Sequence, residues 1–320
     1  MKLALVLSGG GAKGAFEAGV YRAVVEAGLR PSVLSGTSAG ALNAAGIAAG
    51  FDPERLAAVW TGIDNDDVYR LRRDVWRLVR LRGLVSSGGL AQRLLRSIGW
   101  TYLYDTAPLR RTLRSALDGE RVVVAEDRVL IVSAVQIASG RLVRFASAAP
   151  PEHRRGLARW EVTELDVDHL LASASLPLLF TPGRVDGTAY WDGGVLANTP
   201  LAPALAYEPD AAIIVTTATF ERPAPEPRSL DEVAGMLIDT VQRFALDADL
   251  AHARSINALA RAEPQATGKR ALPLLLIDPR GLELGDPLDF SRAHARELIA
   301  RGHEVASEAI AEWREDGSLP

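Results

Sequence analysis

The sequence predicts one large α/β domain, and three observations carry that prediction. The short apolar strand Leu3–Leu7 runs into the glycine-rich turn Ser8–Gly14, after which an amphipathic helix begins. A second strand, Ser32–Ser35, leads through Gly36–Gly40 into an alanine-rich helix, so the β-α unit is repeated. Far downstream, Ala211–Thr217 is a continuous apolar run, as expected of a strand buried in a parallel sheet.

The remaining elements follow in order. Phe16, Val20, Ala23, Val24 and Ala27 recur at helical spacing, and Gly28 with Pro31 closes that helix. From Asp52 to about Leu117 the pattern turns helical, and residues 55–117 are expected to form a helical cover inserted into the single domain 1–320. Val122–Val124 and Val129–Val135 are β-rich, and Arg141–Phe145 continues the latter as a hairpin through Ala138-Ser139-Gly140. Residues 149–159 read as a surface loop, and His169–Ser175 as a helix that Pro177 must end. After Ala211–Thr217 come a loop at Pro223–Pro227, a helix over Leu230–Ala260, a strand at Leu272–Ile277 and a closing helix marked by Phe290, Leu298, Val305, Ala309 and Trp313.

Composition narrows the chemistry. The chain has 320 residues, 48% of them hydrophobic and 24% charged, enough for a sizeable core. Its formal net charge of −4 argues against a nucleic-acid partner, which calls for a basic balance. It has no cysteine, hence no thiol nucleophile and no cysteine-type metal site, so covalent chemistry falls to oxygen or nitrogen. The apolar run after Lys2 is too short for a signal-peptide core, and no later stretch approaches a transmembrane span. A soluble, cytoplasmic protein is expected.

The glycine turn is built for an anion. Three consecutive glycines let backbone N–H groups converge on one point, and the following helix directs its positive end the same way. The anion is either a bound phosphate or a developing oxyanion. Gly9, Gly11 and Gly14 satisfy the dinucleotide pattern, but the acid needed about 20 residues on to hold a ribose is missing, since none lies between Glu26 and Asp52. A nucleotide P-loop fails as well, because Lys13 is followed by Gly14 and Ala15 instead of Ser or Thr.

Gly36-Thr37-Ser38-Ala39-Gly40 lies between a strand and a helix, the context that turns G-x-S-x-G into a nucleophile elbow and exposes Ser38. The plainer alternative is a helix-capping serine. A serine hydroxyl needs a base. Among the five histidines, His252, His294 and His303 follow in the chain but sit within helical patterns, and His153 and His169 precede Asp192. Asp192 is the better candidate, because Gly193 and Gly194 free its backbone and Tyr190-Trp191 suggests a strand end delivering it.

Taken together, GGGAKG after a strand, GTSAG about one β-α unit later and the distant DGG resemble the patatin-like phospholipase family, as does the block Ala172-Ser173-Ala174-Ser175-Leu176-Pro177. The resemblance implies a three-layer α/β/α fold related to the α/β hydrolases, with a central, mostly parallel sheet. It implies hydrolysis of lipid acyl esters by Ser38 as nucleophile and Asp192 as base, with the N–H groups of Gly9, Gly10 and Gly11 as oxyanion hole. Lys13, Gly14, Gly36, Gly40, Gly193 and Gly194 complete the motifs. No cofactor and no metal are expected, and the partner is a lipid or acyl-ester substrate. Rival readings are a soluble carboxylesterase or thioesterase with the same dyad, and an inactive lipid-binding protein. Tyr69–Trp100 holds Arg70, Arg72, Arg73, Arg77, Arg80 and Arg82 among its arginines against one acid, Asp74, interleaved with Trp76 and aliphatic residues. That pattern fits either a lid with solvated charges or a segment making transient contact with an anionic membrane surface. The sequence is silent on oligomeric state.

Overall fold

The computed structural model describes residues 1–72, 101–156, 158–218, 226–227, 230–263 and 271–317. Its centre is a mostly parallel sheet. Strands β1 (Leu3–Leu7) and β2 (Pro31–Thr37) lie side by side. Two further strands, β3 (Arg70–Leu71) and β4 (Tyr102–Asp105), stand apart from that sheet. The chain returns through β5 (Val129–Gln136), β6 (Arg141–Ala146) and β7 (Arg159–Val162), and then through β8 (Leu178–Phe180), β9 (Gly183–Val185) and β10 (Thr188–Asp192). Last come β11 (Ala211–Val215) and β12 (Leu274–Ile277).

The main sheet has the order β12-β11-β1-β2-β5-β10-β9, with β6 and β7 extending from β5. Pairing is parallel from β12 to β5, whereas β5 meets β6 and β10 antiparallel. The expected hairpin joining β5 and β6 is therefore present.

Seven longer helices accompany the sheet: α1 (Gly14–Glu26), α2 (Ala39–Ala48), α3 (Pro53–Gly62), α4 (Ala107–Ala116), α5 (Val167–Ser173), α6 (Leu230–Ala262) and α7 (Arg292–Glu315). Alternation along the strands feeds two cores. Leu3, Leu5 and Leu7 join α1, α2 and α7 on one face, while Ala4 and Val6 join Leu246 and Leu250 of α6 on the other. This produces the three layers. β1 and β11 are fully buried, so both faces of these strands are apolar and their sequences run as unbroken hydrophobic stretches.

Three local expectations are corrected. The stretch from Asp52 to Leu117 is not helical throughout: β3 and β4 interrupt it and form a small sheet in the order β3-β4-β8. Tyr102-Leu103-Tyr104-Asp105 is only four residues long, too short for its alternation to outweigh the helical pattern around it. Residues 73–100, with most of the arginine-rich stretch, lie outside the described residues. The second correction is Val122–Val124, which forms no strand; beside it, Arg121 makes an isolated bridge to Asp166. Third, the loop expected over 149–159 contains a short helical turn, Glu152–Arg155.

Candidate active site

β5 is the ruler against which the site is laid out. β2 runs parallel to it and ends with Thr37 opposite Ser133. Along the same edge, β10 begins its antiparallel pairing with Asp192 opposite Ala134, the next residue. Ser38, one residue past the end of β2, and Asp192, the last residue of β10, therefore converge. The Ser38 side chain lies close enough to the Asp192 carboxyl to lower its proton affinity.

Ser38 stands on a strained turn, with φ 54° and ψ −127°, and is half-buried. Two glycines permit the turn by close approach: a Cβ on Gly36 would lie 2.3 Å from the Gly40 carbonyl oxygen, and one on Gly40 would lie 2.4 Å from that of Leu7. The strained backbone is pinned. The Ser38 N–H donates to Ser173 Oγ at 3.0 Å, and the Ser173 hydroxyl donates to the Ser133 carbonyl at 2.7 Å. α2 starts directly after Ser38 and turns its positive end to the serine.

Asp192 is 2% exposed. Burial pushes its carboxyl up to about 6, against the opposing influence of the neighbouring Ser38 side chain and the hydrogen bond from the Gly194 N–H. The Gly194 bond measures 2.7 Å, and Gly193 packs against the Ser133 carbonyl, where a Cβ would approach to 2.3 Å. None of the five histidines donates to or accepts from Ser38 or Asp192 among the described residues: His153 pairs with Glu208, His169 with Asp166 and His303 with Glu26, while His252 and His294 lie on α6 and α7.

The glycine turn runs alongside. A Cβ on Gly9 would come within 3.1 Å of the Ser38 Cβ, so the turn and the serine are in contact range. Gly9 departs from the expected role. Its N–H donates to the Asn198 carbonyl at 3.0 Å and is already spent, whereas Gly10 and Gly11 have no N–H partner among the described residues. Gly11 has φ +58° and sits under the Pro287 carbonyl, which also accepts the Ala12 N–H at 2.8 Å. Lys13 closes the turn through its backbone N–H to Gly10, and Gly14 abuts Ala39 and Trp60 at the start of α1.

Sequence reasoning missed the braces on this turn. Thr217 Oγ1 and Asn198 Nδ2 both donate to the Gly9 carbonyl, at 2.8 and 3.2 Å, and the Thr217 N–H donates to Ser8 Oγ at 3.0 Å. The hydroxyls of Thr37 and Ser35 reach the carbonyls of Ala197 and Pro200, tying the segment after Asp192 to β2. Beyond Ser38 opens a pocket with a cavity volume of about 80 Å3, lined by Leu42, Phe51, Leu56, Trp60, Leu113 and Phe290 among others. Its wall is almost wholly apolar. Among the described residues no group of three His, Asp or Glu side chains gathers as a metal ion requires.

A three-layer sheet presenting a strained serine at the carboxyl end of a strand belongs with the α/β hydrolases. A profile of the family described as Patatin-like phospholipase matches residues 5–205. The chain belongs to the patatin-like phospholipase family, which makes it a lipid acyl hydrolase. It is 29% identical over 247 residues to the uncharacterized protein YqhO of Bacillus subtilis (strain 168), covering 74% of this chain and 79% of that one. It is 30% identical over 205 residues to a cGAMP-activated phospholipase of Pseudomonas aeruginosa, covering 61% of this chain and 53% of that one. Among solved structures, VipD from Legionella pneumophila aligns with a TM-score of 0.49 at 17% identity, over 97% of this chain and 67% of that one. The chain thus spans about half the length of the cGAMP-activated relative.

Proposed function

We propose that the protein cleaves the acyl esters of phospholipids in the manner of a phospholipase A, with Ser38 and Asp192 as a catalytic dyad. The observation that carries this reading is the convergence of Ser38 and Asp192 on neighbouring residues of β5, with Ser38 lining an apolar pocket. Ser38 Oγ attacks the acyl carbonyl carbon while Asp192 takes the hydroxyl proton. The carbonyl oxygen becomes an oxyanion, stabilised by the Gly10 and Gly11 N–H groups and the positive end of α2, each donor contributing about 3 kcal/mol. Collapse of the tetrahedral intermediate breaks the ester C–O bond, and the departing alkoxide takes the proton from Asp192. Water then attacks the acyl-serine by the same route, releasing the fatty acid and restoring Ser38. The raised proton affinity of Asp192 makes it a better base than an exposed aspartate.

The pocket supports an acyl chain as the group bound, since its wall from Leu42 to Leu117 is almost wholly apolar. Among the described residues no helix is long and apolar enough to cross a membrane, so the substrate must be met at a lipid surface or delivered from one. The test is acyl release from a mixed phospholipid panel, with Ser38→Ala as control and fluorophosphonate labelling of Ser38 in parallel. Release that survives in Ser38→Ala, or labelling elsewhere, would refute the assignment.

A further inference from the structure

Among the described residues only two carboxyls are buried, Asp192 and Glu17, and the reaction uses one of them. Glu17 sits in the first turn of α1, 1% exposed. Its Oε2 accepts from Asn43 Nδ2 at 2.9 Å. The N–H and hydroxyl of Ser8 also turn toward the carboxyl, yet close no well-formed bond, and Oε1 is fully enclosed without a hydrogen-bond partner. An enclosed oxygen without a partner is costly to leave in a charged carboxylate, whereas an acid O–H at Oε1 can donate to the Ser8 hydroxyl oxygen beside it.

Ser8 is the residue from which the glycine turn departs. One side of it faces Glu17; the other receives the Thr217 N–H, with Thr217 Oγ1 fixing the next carbonyl, that of Gly9. A second arm leads to the acyl pocket. Asn43, which donates to Glu17 and to the Gly14 carbonyl, accepts from Trp60 Nε1 at 2.8 Å, and Asn43 and Trp60 both line the pocket. One carboxyl therefore joins the base of the oxyanion turn to the pocket wall.

We propose that Glu17 is a positioning residue for hydrolysis, acting as a neutral acid that fixes Ser8 and, through it, the Gly10 and Gly11 donors. The proposal rests on the oxyanion reading above. Charge is what makes the neutral form matter: a carboxylate beside Ser8 would repel the oxyanion that the same turn must stabilise. Among the described residues no charged group compensates it from the glycine turn, α2, α3 or α7; the groups that face it are Ser8 and Asn43, both neutral. Burial accordingly pushes Glu17 up to about 8, so the acid is neutral at pH 7 and ionises on the alkaline side. Two buried carboxyls then bound the active range, Asp192 from below and Glu17 from above.

The experiment is a pH–rate profile on a soluble nitrophenyl ester for the parent, Glu17→Gln and Glu17→Ala, with Ser38→Ala as blank. Glu17→Gln keeps a donor and an acceptor without a titratable charge, so it should retain the parent kcat at pH 7 and lose the alkaline limb. Glu17→Ala should lose ~10² in kcat with KM little changed, the scale expected when catalytic donors are misplaced by about an ångström. An alkaline limb that persists unchanged in Glu17→Gln, or a parent-like kcat in Glu17→Ala, overturns the proposal. A readout independent of turnover separates its failure from that of the hydrolase reading. In the Ser38→Ala background, the infrared band of a neutral buried carboxyl at pH 7 should vanish with Glu17→Gln, and a band that stays refutes the neutral acid even in an inactive protein.

Discussion

Asp192, the proposed base, owes its raised proton affinity to the exclusion of water, and in the proposed mechanism its proton count decides when the site works. With the folded carboxyl at about 6, the base is protonated and idle below that pH and ionised above it, so kcat/KM should rise through an acid limb near pH 6. That position lies close to the ordinary imidazole value of about 6.5, so pH alone does not distinguish the two groups. Substitution does. Asp192→Asn and Ser38→Ala should each cost at least ~10³ in turnover and the double variant little more, because groups acting as one unit are not additive. Replacing His252, His294 or His303 singly should leave the acid limb and the rate in place. Glu17 makes a separate prediction for stability. Between its unfolded value of 4.5 and its folded value of about 8, the native protein holds a proton that the unfolded chain has released. Stability therefore falls as pH rises through that window. Glu17→Gln, having no proton to hold, should gain on the parent by a few kcal/mol, at the order-of-magnitude level, between pH 5 and pH 8. Urea unfolding of both proteins at the two pH values measures the difference, and a constant gap would contradict the assignment.

At the scale of elements, the elbow between β2 and α2 is held in its strained form by α5, through Ser173. Ser173→Ala leaves the Ser38 N–H and the Ser133 carbonyl without their shared partner, a loss of about 1–3 kcal/mol by urea unfolding, and kcat should fall more than KM rises. The sequence shows the elbow and the glycine turn because close approach demands glycine there, and a glycine at a fixed offset from a strand is a local signal. Asp192 is visible for the same reason, through Gly193. The braces are not visible. Asn198 and Thr217 are ordinary polar residues that contact Gly9 from 189 and 208 positions away, and no local pattern records such a pairing. Ser173 lies within a motif legible in the sequence, but its bond to Ser38 spans 135 positions. The strands β3, β4 and β8 have two to four residues each, too few for alternation to show.

Across the whole molecule, the unbroken apolar runs of β1 and β11 announce the buried parallel sheet, whereas the strand order and the antiparallel entry of β10 depend on pairings that hydrophobic pattern does not encode. The pocket is equally a product of assembly, drawing its wall from α2, α3, α4 and the segment before α7. Gly46 lies on that wall, where an added Cβ would come to 3.0 Å from Phe51 and 3.3 Å from Leu56. Gly46→Val should therefore obstruct the pocket and shift preference from long to short acyl esters, read as the ratio of kcat/KM between nitrophenyl esters of two chain lengths; an unchanged ratio would mean that the chain binds elsewhere.

The layout of the dyad along β5 bears on the order in which the protein can become active. Ser38 and Asp192 are registered against neighbouring residues of one strand, yet they enter from opposite directions and 154 positions apart by their numbering. The turn beside them is braced by Asn198, by Thr217 and, latest in the chain, by the carbonyl of Pro287. On the ribosome, every chain shorter than that lacks a finished site, however well its early β-α units have folded. The site thus comes into being only once synthesis has passed Pro287, and no shorter nascent chain carries the proposed activity.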